Sequence, residues 1–253
     1  MSLVPEVFKP INDIRFLERM QGSITQNDLI LELRNLTVGY SKKPILNDIT
    51  FTVKKGEIVG LLGENGAGKT TTIYSILKLL TPWKGEVNIY THKIGFMLDN
   101  SGLLADLTVR ENYLFFSKLF SLNPEKEEMK NILEIIGINN FLDKKVKHLS
   151  TGLKKRAEIG RALMNNPEFL ILDEPTEGID AIGKVEIKNL IFSLVNNLNC
   201  SILFTTHNLL EAENICNSFV FIKHGRTYSI SNFELIKESG KTLENFYFEF
   251  MKQ

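Results

Sequence analysis

A chain of 253 residues has room for one large domain, or for one domain carrying a subdomain. Its composition, 43% hydrophobic and 24% charged, is that of an ordinary globular protein, and no run approaches the ~20 apolar residues of a membrane span. Thirty basic residues balance thirty acidic ones, which removes any net attraction to nucleic acid or to an anionic bilayer.

Residues 1–27 are mixed, with Pro5, Pro10 and polar Gln21-Gly22-Ser23. Phe8, Ile11, Ile14, Phe16, Leu17 and Met20 suit either a short amphipathic helix or a loosely ordered arm. The segment has no apolar core followed by a cleavage site, so no signal peptide is expected and a cytoplasmic protein is. From Leu29 the pattern becomes β-like: Leu29, Leu31 and Leu33 alternate with polar neighbours. A second alternating run, Ile45 to Val53, follows a turn expected at Ser41-Lys42-Lys43-Pro44, which leaves Tyr40 in the intervening loop. An aromatic side chain there can stack on a purine, or simply pack.

Lys54-Lys55-Gly56 turns the chain into Ile58-Val59-Gly60-Leu61-Leu62, an apolar run expected as a buried parallel strand. It ends in Gly63-Glu64-Asn65-Gly66-Ala67-Gly68-Lys69-Thr70, which fits G-x-x-x-x-G-K-[ST] at every position. A helical stretch, Thr71 to Leu80, completes strand, loop and helix. The chemistry dictates these residue types. Glycines let the backbone wrap a phosphate with its N–H groups inward. The helix N-terminus adds positive potential, Lys69 reaches the β- and γ-phosphates, and the Thr70 hydroxyl suits Mg²⁺.

A turn at Pro82-Trp83-Lys84-Gly85 leads to short strands at Glu86–Tyr90 and Ile94–Leu98. Helices are expected at Leu107–Phe120 and Pro124–Ile136, the first with a capping box from Thr108 to Glu111. Ser150 has the character of an N-cap for a helix running to Asn165, with Lys154-Lys155-Arg156 as a solvated face. The α/β rhythm returns at Phe169–Asp173, an apolar strand closed by Asp173 and Glu174. Those acids suit a magnesium ligand and a general base respectively, or an ordinary strand end. A helix at about 182–197, a strand Ser201–Thr205, a helix Leu209–Asn217 and a hairpin turning at His224-Gly225 follow. His207 lies just past a strand's carboxyl end, where open α/β sheets bind ligands. Cys200 and Cys216 lack metal spacing and are expected to be buried, inert thiols. Leu243, Phe246, Tyr247 and Phe250 give the tail the spacing of a docking helix.

In their order these motifs resemble the nucleotide-binding subunit of ABC transporters, from about Leu29 to Met251. The resemblance implies an α/β P-loop NTPase fold: a RecA-like parallel-sheet core with a small antiparallel β-subdomain and an α-helical subdomain. On that reading residues 28–253 form the ATPase domain, about 100–160 the helical subdomain and about 231–253 a helical tail. Tyr40 resembles the adenine-stacking aromatic, and Gly63–Thr71 (Gly63, Glu64, Asn65, Gly66, Ala67, Gly68, Lys69, Thr70, Thr71) the Walker A loop. Asp173 matches the magnesium aspartate, Glu174 the catalytic glutamate, Gly178-Ile179-Asp180 the D-loop and His207 the switch histidine. Leu149-Ser150-Thr151-Gly152-Leu153 resembles the LSGGQ signature, with Thr for the first glycine and Leu for the glutamine; Ser150 and Gly152 remain. In the family this signature caps ATP held by the opposite subunit, which implies a head-to-tail homodimer.

Ile94-Gly95-Phe96-Met97-Leu98 ends in Asp99 where the family has its Q-loop glutamine, so Asp99 becomes a further candidate for metal or water. An acid at this position resembles the bacitracin and lantibiotic self-protection exporters, where glutamate is typical. The expected function is ATP binding and hydrolysis, with ATP and Mg²⁺, in the subunit that energises export through a separate membrane permease. A peptide antibiotic is the cargo class that the Asp99 departure suggests. Localisation would be cytoplasmic, on the inner face of the membrane through the permease, with no nucleic-acid partner. The alternatives are a soluble ABC ATPase acting on ribosome or DNA, and a nucleotide sensor without turnover.

Overall fold

A computed structural model describes residues 26–98, 102–122, 126–230 and 242–251. Their contacts divide into two compact units: residues up to Tyr90 with those from Leu203 on, and Thr91–Ile202. Of the two boundaries, the one at Ile202/Leu203 falls within a strand.

In the first unit β1 (Leu29–Tyr40) pairs antiparallel with β2 (Lys43–Lys54) and with β4 (Lys84–Ile89), giving a three-stranded sheet in the order β2-β1-β4. This is the small antiparallel sheet expected. Tyr40 is not in a loop: it is the last residue of β1 and pairs with Lys43. The turn is only Ser41-Lys42, with Ser41 in the left-handed region, and Pro44 lies inside β2. β1 therefore runs well past the alternating Leu29–Leu33 segment. Its later residues Leu36 and Val38 are also buried, after a register irregularity that resets the alternation.

β3 (Ile58–Leu62) is buried at all five residues and pairs parallel with β8 (Ser218–Lys223). β8 turns at His224-Gly225 into antiparallel β9 (Arg226–Ile230), and β7 (Ser201–Thr206) is the other neighbour of β3. A continuous apolar run with both faces covered is what the sequence signals for a central strand. α1 (Lys69–Ile76) ends four residues before the expected Leu80. Lys78 adopts φ +58, its N–H donates to Ser75 O, and Leu79 N–H donates back to Tyr74 O at 2.8 Å. This is a Schellman ending with lysine where glycine is usual, so no local residue type marks it. α6 (Leu209–Ile215) also stops early, because Asn217 joins the sheet through Ile58: its Oδ1 accepts the Ile58 N–H at 2.9 Å. α7 (Leu243–Met251) docks as expected, with Leu243 buried and the Tyr247 ring 5.4 Å from that of Phe221.

In the second unit β5 (Ile94–Met97) pairs parallel with β6 (Phe169–Asp173). The helices are α2 (Val109–Leu119), α3 (Lys126–Ile136), α4 (Thr151–Leu163) and α5 (Ala181–Leu198). The Thr108–Glu111 capping box forms in full, and Ser150 and Asp180 cap α4 and α5. Tyr113 donates its hydroxyl to Ala157 O at 2.9 Å, tying α2 to α4, and burial pushes that phenol far up. The Arg161 guanidinium lies between the Phe96 and Phe116 rings, at 5.6 and 5.2 Å, and donates to Phe96 O. Cys200 and Cys216 are free and buried; burial raises the first thiol to about 12 and the second well above its usual value. Among the described residues no helix is long and apolar enough to cross a membrane. The arm through residue 25, Asp99 and the start of the tail lie outside the described residues.

Candidate active site

The first unit carries the glycine loop between β3 and α1. Gly63 leaves β3 so close to β8 that a Cβ there would sit 2.7 Å from Ile222 O, and only glycine fits. Gly66, at φ +84, would point a Cβ into open space. Gly68, at φ +113, is the N-cap of α1 and has no side chain to cap it. The helix therefore begins with its positive end bare of any side chain from its own cap. Lys69 is only 7% exposed; its ammonium bends back to donate to Gly63 O at 2.7 Å and Glu64 O at 3.4 Å. Ala67 N–H closes a turn onto Glu64 O. Glu64, Asn65, Gly66 and Thr70 face solvent, while Thr71 is buried.

The loop thus sets main-chain N–H groups at a helix N-terminus beside a buried ammonium, an arrangement of the kind that suits a polyphosphate. The space above Gly66 is what a Cβ would fill.

Two more candidates belong to this unit. Tyr40 is 47% exposed at the end of β1, with its ring available for stacking. His207 is exposed directly after β7, on a braced turn. Thr206 Oγ1 accepts the Asn208 N–H at 3.0 Å and donates to Glu211 Oε2, while Asn208 Oδ1 caps α6 through the Glu211 N–H. The histidine is thus held by hydrogen bonds on both flanks.

The second unit carries the acids. Asp173 ends β6 and is 2% exposed. Glu174 follows in the left-handed region at φ +46 and is half-buried. Its carbonyl accepts the Glu177 N–H at 3.2 Å and the Lys155 ammonium at 3.3 Å. Ser150 is exposed at the start of α4, where its Oγ accepts the Leu153 N–H at 3.3 Å. Gly152, the second residue of the same helix, has Ile179 of the β6–α5 loop 3.6 Å from its Cβ position.

The expected solvated face Lys154-Lys155-Arg156 is exposed only at Lys154. Lys155 turns to Glu174, and Arg156 donates to Ile136 O and pairs with Glu186. Sequence reading missed Lys155 as part of the acidic turn, since nothing local distinguishes it from Lys154. Asp173 in this unit and the Thr70 hydroxyl in the first are each a hard oxygen donor of the kind magnesium takes.

Residues 46–177 match the family described as ABC transporter. The chain is 35% identical over 223 residues to the bacitracin transport ATP-binding protein BcrA of Bacillus licheniformis, covering 84% of this chain and 72% of the relative. It is 36% identical over 212 residues to the Nod factor export ATP-binding protein I of Burkholderia orbicola (strain AU 1054), covering 78% and 68%. Among solved structures, an ATP-binding subunit of an ABC transporter superposes with a TM-score of 0.75 at 29% identity, covering 88% of this chain and 99% of that one.

Proposed function

The chain belongs to the ABC transporter ATP-binding family, and we propose that it works as the ATPase of an exporter, closing as a head-to-tail homodimer beneath a membrane permease. That it binds and hydrolyses ATP follows from the family; the residue roles and the assembly are our reading. The observation that carries it is the glycine loop, where open space over Gly66, the left-handed cap Gly68 and the inturned Lys69 ammonium together suit a triphosphate.

In this reading main-chain N–H groups of Gly63–Thr71 bind the phosphates and Lys69 neutralises the β- and γ-oxygens. Tyr40 stacks on the adenine. Thr70 and Asp173 would hold magnesium, which supplies charge neutralisation at the phosphates when bound. Asp99 is a further candidate for that role, or for a water. Glu174 orients water and takes its proton as the water oxygen bonds to the γ-phosphorus. The bond to the bridging oxygen breaks, and ADP and phosphate leave. His207 and Lys69 stabilise the charge that develops on the transferring group. Ser150 and Gly152 of each copy meet the γ-phosphate bound by the other.

A permease partner is supported by the relatives, which are ATP-binding subunits of transporters. It is also supported by α2, whose Leu114, Phe115 and Leu119, with Phe120 just after it, are exposed apolar side chains in one place. Attachment to a permease would place the chain on the cytoplasmic face of the membrane. A peptide antibiotic is the cargo class favoured by the bacitracin-related sequence and by Asp99.

Steady-state ATP hydrolysis by Glu174→Gln tests the reading. Loss of the base lowers turnover by about 10²–10⁴-fold with ATP binding retained; wild-type turnover rejects the assignment.

A further inference from the structure

The turn that bears Glu174 is held from an unexpected direction. Glu174 has φ +46, a conformation L-residues avoid because Cβ crowds the following carbonyl. Asparagine or aspartate eases that strain with a local hydrogen bond; the longer glutamate side chain does not do so readily. Such a conformation persists only where the surroundings over-determine it. One constraint is local, the Glu177 N–H on the Glu174 carbonyl. A second is the Lys155 ammonium on the same oxygen, from 19 residues earlier in the chain. A lysine held this way gives up the rotamer freedom that exposed Lys154 keeps, so the contact must return more than that entropy. A charged donor on a carbonyl is among the stronger hydrogen bonds.

We propose that Lys155 is the positioning residue for Glu174, fixing the peptide from which the carboxylate projects; this rests on Glu174 being the base. The same residue ties that turn to α4, the helix that Ser150 begins. In the head-to-tail dimer each copy's α4 thus links the serine facing one nucleotide with the acid acting on the other.

The test is Lys155→Met, which keeps the aliphatic stem and removes the donor, beside Lys155→Arg and the exposed neighbour Lys154→Met. Steady-state hydrolysis should show kcat for Lys155→Met down by about tenfold to a hundredfold, with KM for ATP changed by less than about twofold. Lys155→Arg should restore most of the rate, and Lys154→Met should match wild type. Amide hydrogen exchange over residues 174–178, which does not depend on turnover, should speed up in Lys155→Met alone. Wild-type kcat with unchanged exchange at that turn overturns the proposal. Wild-type turnover in Glu174→Gln also overturns it, through the base assignment, and the two failures are separate because only the first leaves Glu174 essential.

Discussion

Replacing Gly68 with alanine should damage the phosphate loop in two additive ways, and both can be worked from the structure. At φ +113 and ψ 10 the backbone lies outside any region an L-residue favours, which costs about 1–2 kcal/mol. The new methyl would also sit 2.5 Å from Leu46 Cδ2, where carbon atoms prefer about 3.5–4.0 Å. Leu46 is fully buried in the first unit, so it must repack, at about 1–3 kcal/mol. The sum, about 2–5 kcal/mol, is a large part of a typical total of about 5–15 kcal/mol. Gly66→Ala is the internal control, because at φ +84 it has strain but nothing within 4 Å; its cost should be only the first term, about 1–2 kcal/mol. Urea unfolding, read as a shift of midpoint at constant slope, measures both. In the Gly68→Ala background, Leu46→Val makes room and should cost less than it does alone, a coupling that a double-mutant cycle isolates. Equal destabilisation by Gly66→Ala and Gly68→Ala, or strict additivity with Leu46→Val, would refute the clash.

Lys69→Met should abolish ATP binding measurable by calorimetry while the fold survives, since it removes the ammonium set against Gly63 O and Glu64 O; unchanged affinity would sink its assigned role. Asn112, fully buried, donates to Leu104 O and Thr108 O and accepts the Leu104 N–H at 2.7 Å. Asn112→Ala strands these groups and should lower stability by about 2–3 kcal/mol in urea unfolding, with KM for ATP unaffected. Cys200 and Cys216 should resist thiol reagents at pH 8 until denaturant is added, because burial holds both as neutral thiols. With folded values raised above the usual 9.0, the unfolded state loses those protons first as pH rises. Stability is therefore full below about pH 9 and falls above it, by up to ~1.4 kcal/mol per pH unit for each thiol. Cys200→Ala should flatten that slope between pH 9 and 11, and an unchanged slope would show that the thiol reaches water.

Sequence alone carried the features whose local cause has a residue-type signature. The glycine spacing of 63–70 declares a loop because left-handed backbone and close approach demand glycine there, as φ +84 and +113 bear out. Thr108 with Glu111, and Ser150, mark helix starts because a side-chain oxygen three residues from an unpaired N–H can cap it. Buried β3 and β6 are legible as apolar runs too short for helices. What tertiary structure decided is of another kind. Tyr40 closes a strand instead of lying in a loop because Lys43 of β2 pairs with it. The end of α1 at Ile76 is local but equally unannounced, since the backbone hydrogen bonds around Lys78 form without a glycine. Lys155, identical in type to its neighbour Lys154, is singled out only by the Glu174 carbonyl that the fold brings beside it. A residue's local preferences are written in its own side chain; its partner across 19 residues is written in the path of the backbone between them.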